Sequence, residues 1–322
     1  MTTLRTMSFA EAATGALAAA MAADPRIVVL GEDVGRGGVF NQYAGLQARF
    51  GPERVIDTPI SEATIVGAGL GMALAGLKPV VELRIVDFAL CAIDEVVNQV
   101  AKNRYMFGGQ KPVPMLLRMP IGIWDAAAAQ HSQSFESWFA HVPGLVVVCP
   151  STPHDAHGLL RSALASNDPV VLMEHKTSWG QRGEVDAAAS VPLGQAAVRR
   201  AGRQLTIVSW SRQTQVCAQA CERLAAHGVD AELIELRTLW PWDRDAVFAS
   251  VRRTHALLVV HEAVQVAGFG AEVVASVAQA VPGCRVARLG APRIPVGYSP
   301  PLEAQARIDA DAVADAARAL LT

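Results

Sequence analysis

The chain is short of charge, of aromatic rings and of the motifs by which most enzymes hold a nucleotide or a metal. Of its 322 residues, 18% are charged and 6% aromatic. The formal net charge is −2 and there is no basic run, which argues against nucleic acid as a partner. Five cysteines (Cys91, Cys149, Cys217, Cys221 and Cys284) are scattered without paired metal spacing. They read as buried thiols of a reducing compartment, so a cytoplasmic protein is expected. Cys217 and Cys221 lie one helical turn apart and read as core thiols rather than a redox pair. No uncharged run reaches the about 20 residues that a membrane-spanning helix needs. No G-x-G-x-x-G follows a strand, which excludes the usual nicotinamide or flavin site. A Walker loop, a G-x-S-x-G elbow and an H-E-x-x-H pair are all missing. His261-Glu262 closes a strand and lacks the second histidine.

What is abundant is apolar material, 51% of the chain, enough for the cores of two ordinary domains. Ser8 and Glu11 form a capping-box pattern ahead of an alanine-rich run, so a first helix is expected over 8–23 rather than a secretory leader. Continuous apolar strands then alternate with helices. Strands are expected at 27–30, 54–56, 79–83, 113–118, 146–149 and 170–174. Helices are expected at 42–50, from Glu62, at 87–107 and at 154–165. This pattern predicts a mainly parallel sheet covered on both faces. The stretch 179–193 breaks the rhythm with Gly, Pro and charge. It divides the chain into domains expected at 1–185 and 186–322. The second half repeats the logic, with strands at 205–210, 231–236, 257–261 and 285–289 and helices at 213–227, 243–252, 270–280 and 309–321. The fold class is therefore α/β, with two domains.

One carboxylate stands out. In Asp57 to Gly76 (DTPISEATIVGAGLGMALAG), Pro59 blocks helix continuation and Ser61 is placed as an N-cap, so Glu62 falls in the first helical turn. From Ala63 to Leu77 no side chain is charged. Four glycines weaken this helix by roughly 1 kcal/mol each relative to alanine. They are expected to be offset by close approach to another backbone or a ligand. On local pattern alone, Glu62 complements the helix dipole.

The order and spacing of several segments carry more. Gly31 to Val34 (GEDV), Gly37 to Phe40 (GGVF), Asp57 to Glu62 (DTPISE), Tyr105 to Gly109 (YMFGG), Gln130 to Gln133 (QHSQ), His141 to Leu145 (HVPGL), Arg237-Thr238 with Pro241 to Asp243, and Pro301 to Glu303 (PLE) run nearly end to end. In these the chain resembles the beta subunit of the thiamine diphosphate-dependent, decarboxylating first component of 2-oxo acid dehydrogenase complexes. That family includes the pyruvate, branched-chain 2-oxo acid and acetoin dehydrogenases.

The resemblance implies a pyrimidine-binding domain followed by a transketolase-type C-terminal domain. It implies a heterotetramer with an alpha subunit, two of each, and a separate lipoyl acyltransferase that receives the acyl group. The alpha subunit would hold the diphosphate and magnesium through a GDG motif, which this chain lacks. Glu62 then matches the carboxyl that hydrogen-bonds the ring nitrogen of the aminopyrimidine, a role favoured by a raised carboxyl pKa in an apolar pocket. Phe88 matches the residue that stacks on the pyrimidine, with an ordinary core phenylalanine as the bland alternative. Ile60 lines the same pocket. His131 matches the histidine that orients the substrate and assists lipoyl acylation. A potassium ion is implied at Met115, Ala163, Leu164, Ser166 and Asp168, where Ser166 replaces the family's usual aspartate. Two other readings stay open: a split transketolase-like or acyloin-forming enzyme that releases free product, and a non-catalytic assembly subunit in which Glu62 merely begins a helix.

Overall fold

A computed structural model describes residues 4–322, which divide into two compact units. The first comprises residues up to Ile121 together with Trp138–Leu193; the second comprises Gly122–Ser137 and Gly194–Thr322. The break after Leu193 lies eight residues beyond the expected 185/186 boundary, and the segment 122–137 goes with the second unit.

In the first unit, β1 (Leu4–Ser8) leads into α1 (Phe9–Ala23). Ser8 Oγ accepts the Glu11 N–H at 3.1 Å and Glu11 Oε2 accepts the Ser8 N–H at 2.7 Å, the reciprocal cap that the sequence predicts. There follow β2 (Ile27–Gly31), α2 (Leu46–Phe50), β3 (Val55–Asp57), α3 (Glu62–Leu74) and β4 (Lys78–Glu82). The expected helix at 42–50 shortens to α2 because Gly45 is left-handed (φ 74°) and the Gln42 and Tyr43 side chains are both tied to Glu82. The expected continuous helix at 87–107 is three pieces: a 3₁₀ segment (Val86–Ala92), a π-helical turn (Glu95–Val100) and α4 (Ala101–Met106). The widened turn carries both Val96 and Val100 fully into the core. Then come β5 (Leu116–Arg118), α5 (Glu136–Ala140), whose first two residues count with the second unit, β6 (Val146–Val148), α6 (Pro153–Ala165), β7 (Val170–Leu172) and β8 (Arg182–Asp186). α6 starts with Thr152 Oγ1 accepting the Asp155 N–H and with Pro153 in its first turn.

Six strands of this unit lie in the order β6-β7-β5-β4-β2-β3, all parallel. β1 and β8 form a separate antiparallel ribbon that the hydrophobic pattern did not announce. The core gathers Leu17 and Met21 of α1, Val29, Val80 and Leu116 of the sheet, and Leu159 and Leu160 of α6.

The second unit runs β9 (Ala197–Arg200), β10 (Leu205–Ser209), α7 (Gln213–Ala226), β11 (Ala231–Glu235), β12 (Thr238–Trp240), α8 (Arg244–Thr254), β13 (Ala256–Val264), α9 (Gly270–Ala280), β14 (Arg285–Ala291), α10 (Pro300–Gln305) and α11 (Ala310–Leu321). Its sheet order is β14-β13-β10-β11-β9, parallel except for the edge strand β9. Asp243 and Asp309 cap α8 and α11 through the N–H groups of Ala246 and Ala312. Ile207, on the central strand β10, shares its core with Cys217, Cys221, Leu233 and Val313. Burial pushes the Cys217 thiol up, and that of Cys221 to about 11, as inert core thiols require.

Candidate active site

The first unit's topology places the candidate residues. β2 is followed by β3 on one side and then by β4 on the other, so the strand order reverses at β2. In an open parallel sheet the crevice beyond the strand ends at such a reversal is where ligands bind. The chain leaves β2 through Glu32, β3 through Ile60 to Glu62, and β4 through Arg84 to Phe88. Backbone stitching fixes this edge: the Thr58 N–H meets Gly31 O at 3.1 Å, and the Gly35 N–H meets Asp57 Oδ1 at 2.7 Å. Gly31 is needed there because a Cβ would stand 2.7 Å from the Glu82 carbonyl oxygen.

Glu62 opens α3 and is half-buried. Its carboxylate makes no hydrogen bond or ion pair with a described residue. The expected Ser61 cap is not formed; Ser61 Oγ pairs with Thr64 Oγ1 at 2.9 Å instead, and the helix begins without a side-chain acceptor. A negative charge at that position still faces the open N–H groups of the first turn. Ile60 is 76% exposed and Phe88 half-buried within the 3₁₀ segment. Thr58 Oγ1 is buried with no partner.

Glu32 joins this group, although the motifs assign it no role. Burial, followed by the like charges of Glu62 and Asp33, raises its carboxyl above the usual range against the pull of Arg84, whose Nη1 lies 3.7 Å away. The signal was available: an acidic residue leaving the carboxyl end of a buried parallel strand. Arg84 also holds Asp33 at 3.0 Å.

Below this edge lies a second set of charges that sequence reasoning missed. Arg118 donates to both oxygens of Glu174 at 2.8 Å, with both side chains fully buried. Glu82 accepts from Gln42 Nε2 at 3.0 Å and from the Tyr43 hydroxyl at 2.5 Å. Burial outweighs the charge of Arg118 and pushes Glu82 up to about 7. The only sequence signal was a charge at the end of each of three apolar strands.

α3 is covered on one side only. A Cβ on Gly69 would meet Val81 and Met115 side chains at 2.5 and 2.8 Å, so this glycine admits the sheet. Gly67 and Gly71 have nothing within 4 Å of a built Cβ, and with Ala68 and Ala75 they form an exposed stripe. The close approach expected of these glycines is thus made within the chain at Gly69 and not at Gly67 or Gly71.

His131 belongs to the second unit, whereas Ile60, Glu62 and Phe88 belong to the first. It is exposed and closes a 3₁₀ turn, Ala129–His131.

The implied potassium positions each already carry a partner, and the partners of Leu164 and Asp168 are cations. Lys78 Nζ reaches the Leu164 carbonyl at 3.3 Å and Asp24 at 3.5 Å. Arg104 holds the Asp168 carboxylate, and Ser166 Oγ bonds the Asp168 backbone at 3.0 Å. The carbonyls of Met115 and Ala163 accept the N–H groups of Val170 and Ser166. A potassium ion at Leu164 would meet an ammonium group at close range, so the residues present do not fit that ion. Among the described residues no cluster of three or more His, Cys, Asp or Glu could hold a metal.

Comparison with known proteins identifies the family and the fold. Residues 5–181 match the transketolase pyrimidine-binding domain and residues 194–313 the transketolase C-terminal domain. The acetoin:2,6-dichlorophenolindophenol oxidoreductase beta subunit of Cupriavidus necator is 40% identical over 93% of both chains. The 2-oxoisovalerate dehydrogenase beta subunit of Bacillus subtilis is 38% identical over 98% of both. This chain belongs to the beta subunits of the 2-oxo acid and acetoin dehydrogenases. The mitochondrial pyruvate dehydrogenase E1 beta-1 subunit of Arabidopsis thaliana, another member, is 40% identical over 92% of this chain and 84% of its own. A split-gene transketolase, an inactive beta4 tetramer, shares the fold at 20% identity with a TM-score of 0.83, covering 98% of both chains. No helix among the described residues is long and apolar enough to cross a membrane.

Proposed function

We propose that this beta subunit pairs with an alpha subunit, two of each, in a cytoplasmic enzyme. Together they would decarboxylate a 2-oxo acid, or cleave acetoin, and pass the acyl group to the lipoyl arm of a separate acyltransferase. The cofactor is thiamine diphosphate, with the diphosphate and magnesium held mainly by the alpha subunit. When bound, it supplies a nucleophilic thiazolium carbon for attack on the substrate carbonyl.

The observation that carries this reading is Glu62, a carboxylate without a hydrogen-bond or ion-pair partner among the described residues, at the entrance of α3 on the sheet edge where the strand order reverses. An aminopyrimidine fits the residues around it. The half-buried ring of Phe88 and the exposed Ile60 offer an apolar bed, and the buried, unpartnered Thr58 hydroxyl offers a polar contact. In this role Glu62 holds a proton on its carboxyl oxygen against a ring nitrogen. Burial, with the neighbouring Glu62 charge adding to it, raises the carboxyl of Glu32. His131 is assigned to orienting substrate and assisting acyl transfer. The exposed Gly67, Ala68, Gly71 and Ala75 stripe and the exposed Tyr105, Met106 and Phe107 suit burial against other subunits.

Glu62→Gln in the reconstituted enzyme tests this. Loss of a positioned acid–base group lowers turnover by about 100- to 10,000-fold, with circular dichroism and assembly unchanged. Turnover within threefold of wild type refutes the assignment.

A further inference from the structure

The segment that presents His131 is bent in a way that its own sequence does not favour. Asp125, Ala126 and Ala128 all have positive φ (39°, 57° and 60°) without being glycine. Ala128 also has ψ −169°, a combination otherwise almost confined to glycine. Such conformations persist only where the surroundings over-determine them.

The surroundings here are two carboxylates from distant parts of the second unit. Glu303 Oε2, on α10, accepts the Ala126 N–H at 2.7 Å. Glu262 Oε1, on β13, accepts the Ile123 N–H at 2.8 Å. Glu303 is itself aimed by Arg307, whose Nη2 and Nε reach its other oxygen at 2.6 and 3.2 Å. Arg307 Nη2 also reaches the Ile123 carbonyl at 3.4 Å. At the far end of the segment the Trp210 indole donates to the buried Glu136 at 3.0 Å. Gly122 and Gln133 close the loop through a backbone bond of 3.0 Å. Glu303 is only 7% exposed, and a charged acceptor with so little water around it holds its donors more strongly.

We propose that Glu303, aimed by Arg307 and assisted by Glu262, is a positioning residue for His131. The carboxylates collect loop N–H groups and hold residues 123–128 in the left-handed turn from which the 129–131 helical turn springs. This rests on the reading of His131 as a residue of acyl transfer.

The test uses the alpha–beta enzyme with Glu303→Ala, Glu303→Gln and His131→Ala, singly and combined. Hydrogen exchange reads the loop independently of activity. Loss of a charged acceptor makes exchange in 122–131 about 10- to 100-fold faster in Glu303→Ala. Acyl transfer to a lipoyl domain falls by about tenfold, whereas dye-linked oxidation of substrate, which bypasses the lipoyl arm and senses only the substrate-orienting share of His131, falls by a smaller factor. In the His131→Ala background the same substitution adds no further loss of transfer. Glu303→Gln keeps an oxygen for Ala126 and gives a smaller loss of the same pattern; it stands in should the alanine variant fail to assemble. Unchanged exchange, or an equal loss with and without His131, overturns the positioning role. Full acyl transfer by His131→Ala overturns the reading of His131 and this proposal with it, an outcome distinguished by the single variant alone.

Discussion

Glu82 shows how a single residue couples the site's scaffold to pH. It ends β4 beneath the candidate edge, fully enclosed, and receives the Tyr43 hydroxyl and the Gln42 amide. Its carboxyl is pushed from the ordinary 4.5 to about 7, chiefly by burial. Between those values the folded chain binds a proton that the unfolded chain has released. Stability from this group is therefore present below about pH 4.5, falls as pH rises, and is lost above about pH 7. The gap corresponds to roughly 3 kcal/mol. Glu82→Gln carries no such proton. Its thermal midpoint, measured from pH 5 to pH 8, is expected to fall less than that of the wild type; an equal fall in both would show that Glu82 does not titrate in this window. Little of this could be read in advance. Glu62 was legible because proline, serine and a long uncharged run surround it in sequence. Glu82 and Glu32 showed in the sequence only as charges at the ends of apolar strands, and the partners that shift them arrive from other parts of the chain.

At the scale of elements, the helices with strong start signals came out close to their sequence bounds. α1 has its capping box, α8 and α11 their aspartates, and α9 matches residue for residue. What failed was continuity. The 87–107 stretch has a good helical period, yet period alone does not separate an α-helix from a 3₁₀–π–α succession. The antiparallel pieces β1, β8 and β9 were missed because short, polar edge strands carry no buried run. α3 offers a test of which glycines serve this chain. Gly69→Ala drives a methyl into Val81 and Met115 and is expected to destabilise the isolated subunit by about 1–3 kcal/mol. Gly67→Ala meets nothing and is expected to stabilise it by about 0.5–1 kcal/mol through helix propensity. Denaturant unfolding of the two variants should move in opposite directions; a shared direction would show that both glycines answer to the same neighbour.

For the whole molecule, the proposed sharing of the cofactor site with an alpha subunit makes a direct binding prediction. The chain carries two α/β units, each with its own buried core. It nevertheless has no GDG motif, no acidic or histidine cluster fit for a divalent ion among its described residues, and a candidate edge that displays an exposed isoleucine beside Glu62. A ring-binding surface without a phosphate-binding one holds its ligand through a few contacts only, far short of what a diphosphate clamp adds. The isolated subunit is therefore expected to give no saturable heat on calorimetric titration with thiamine diphosphate and magnesium. With the alpha subunit present, saturable binding should appear at one cofactor per alpha–beta pair, two in the heterotetramer. In that complex Glu62→Gln should weaken binding far less than it lowers turnover, because most of the affinity lies with the diphosphate and the carboxyl acts on a single ring nitrogen. Tight binding by the beta subunit alone would contradict the divided site.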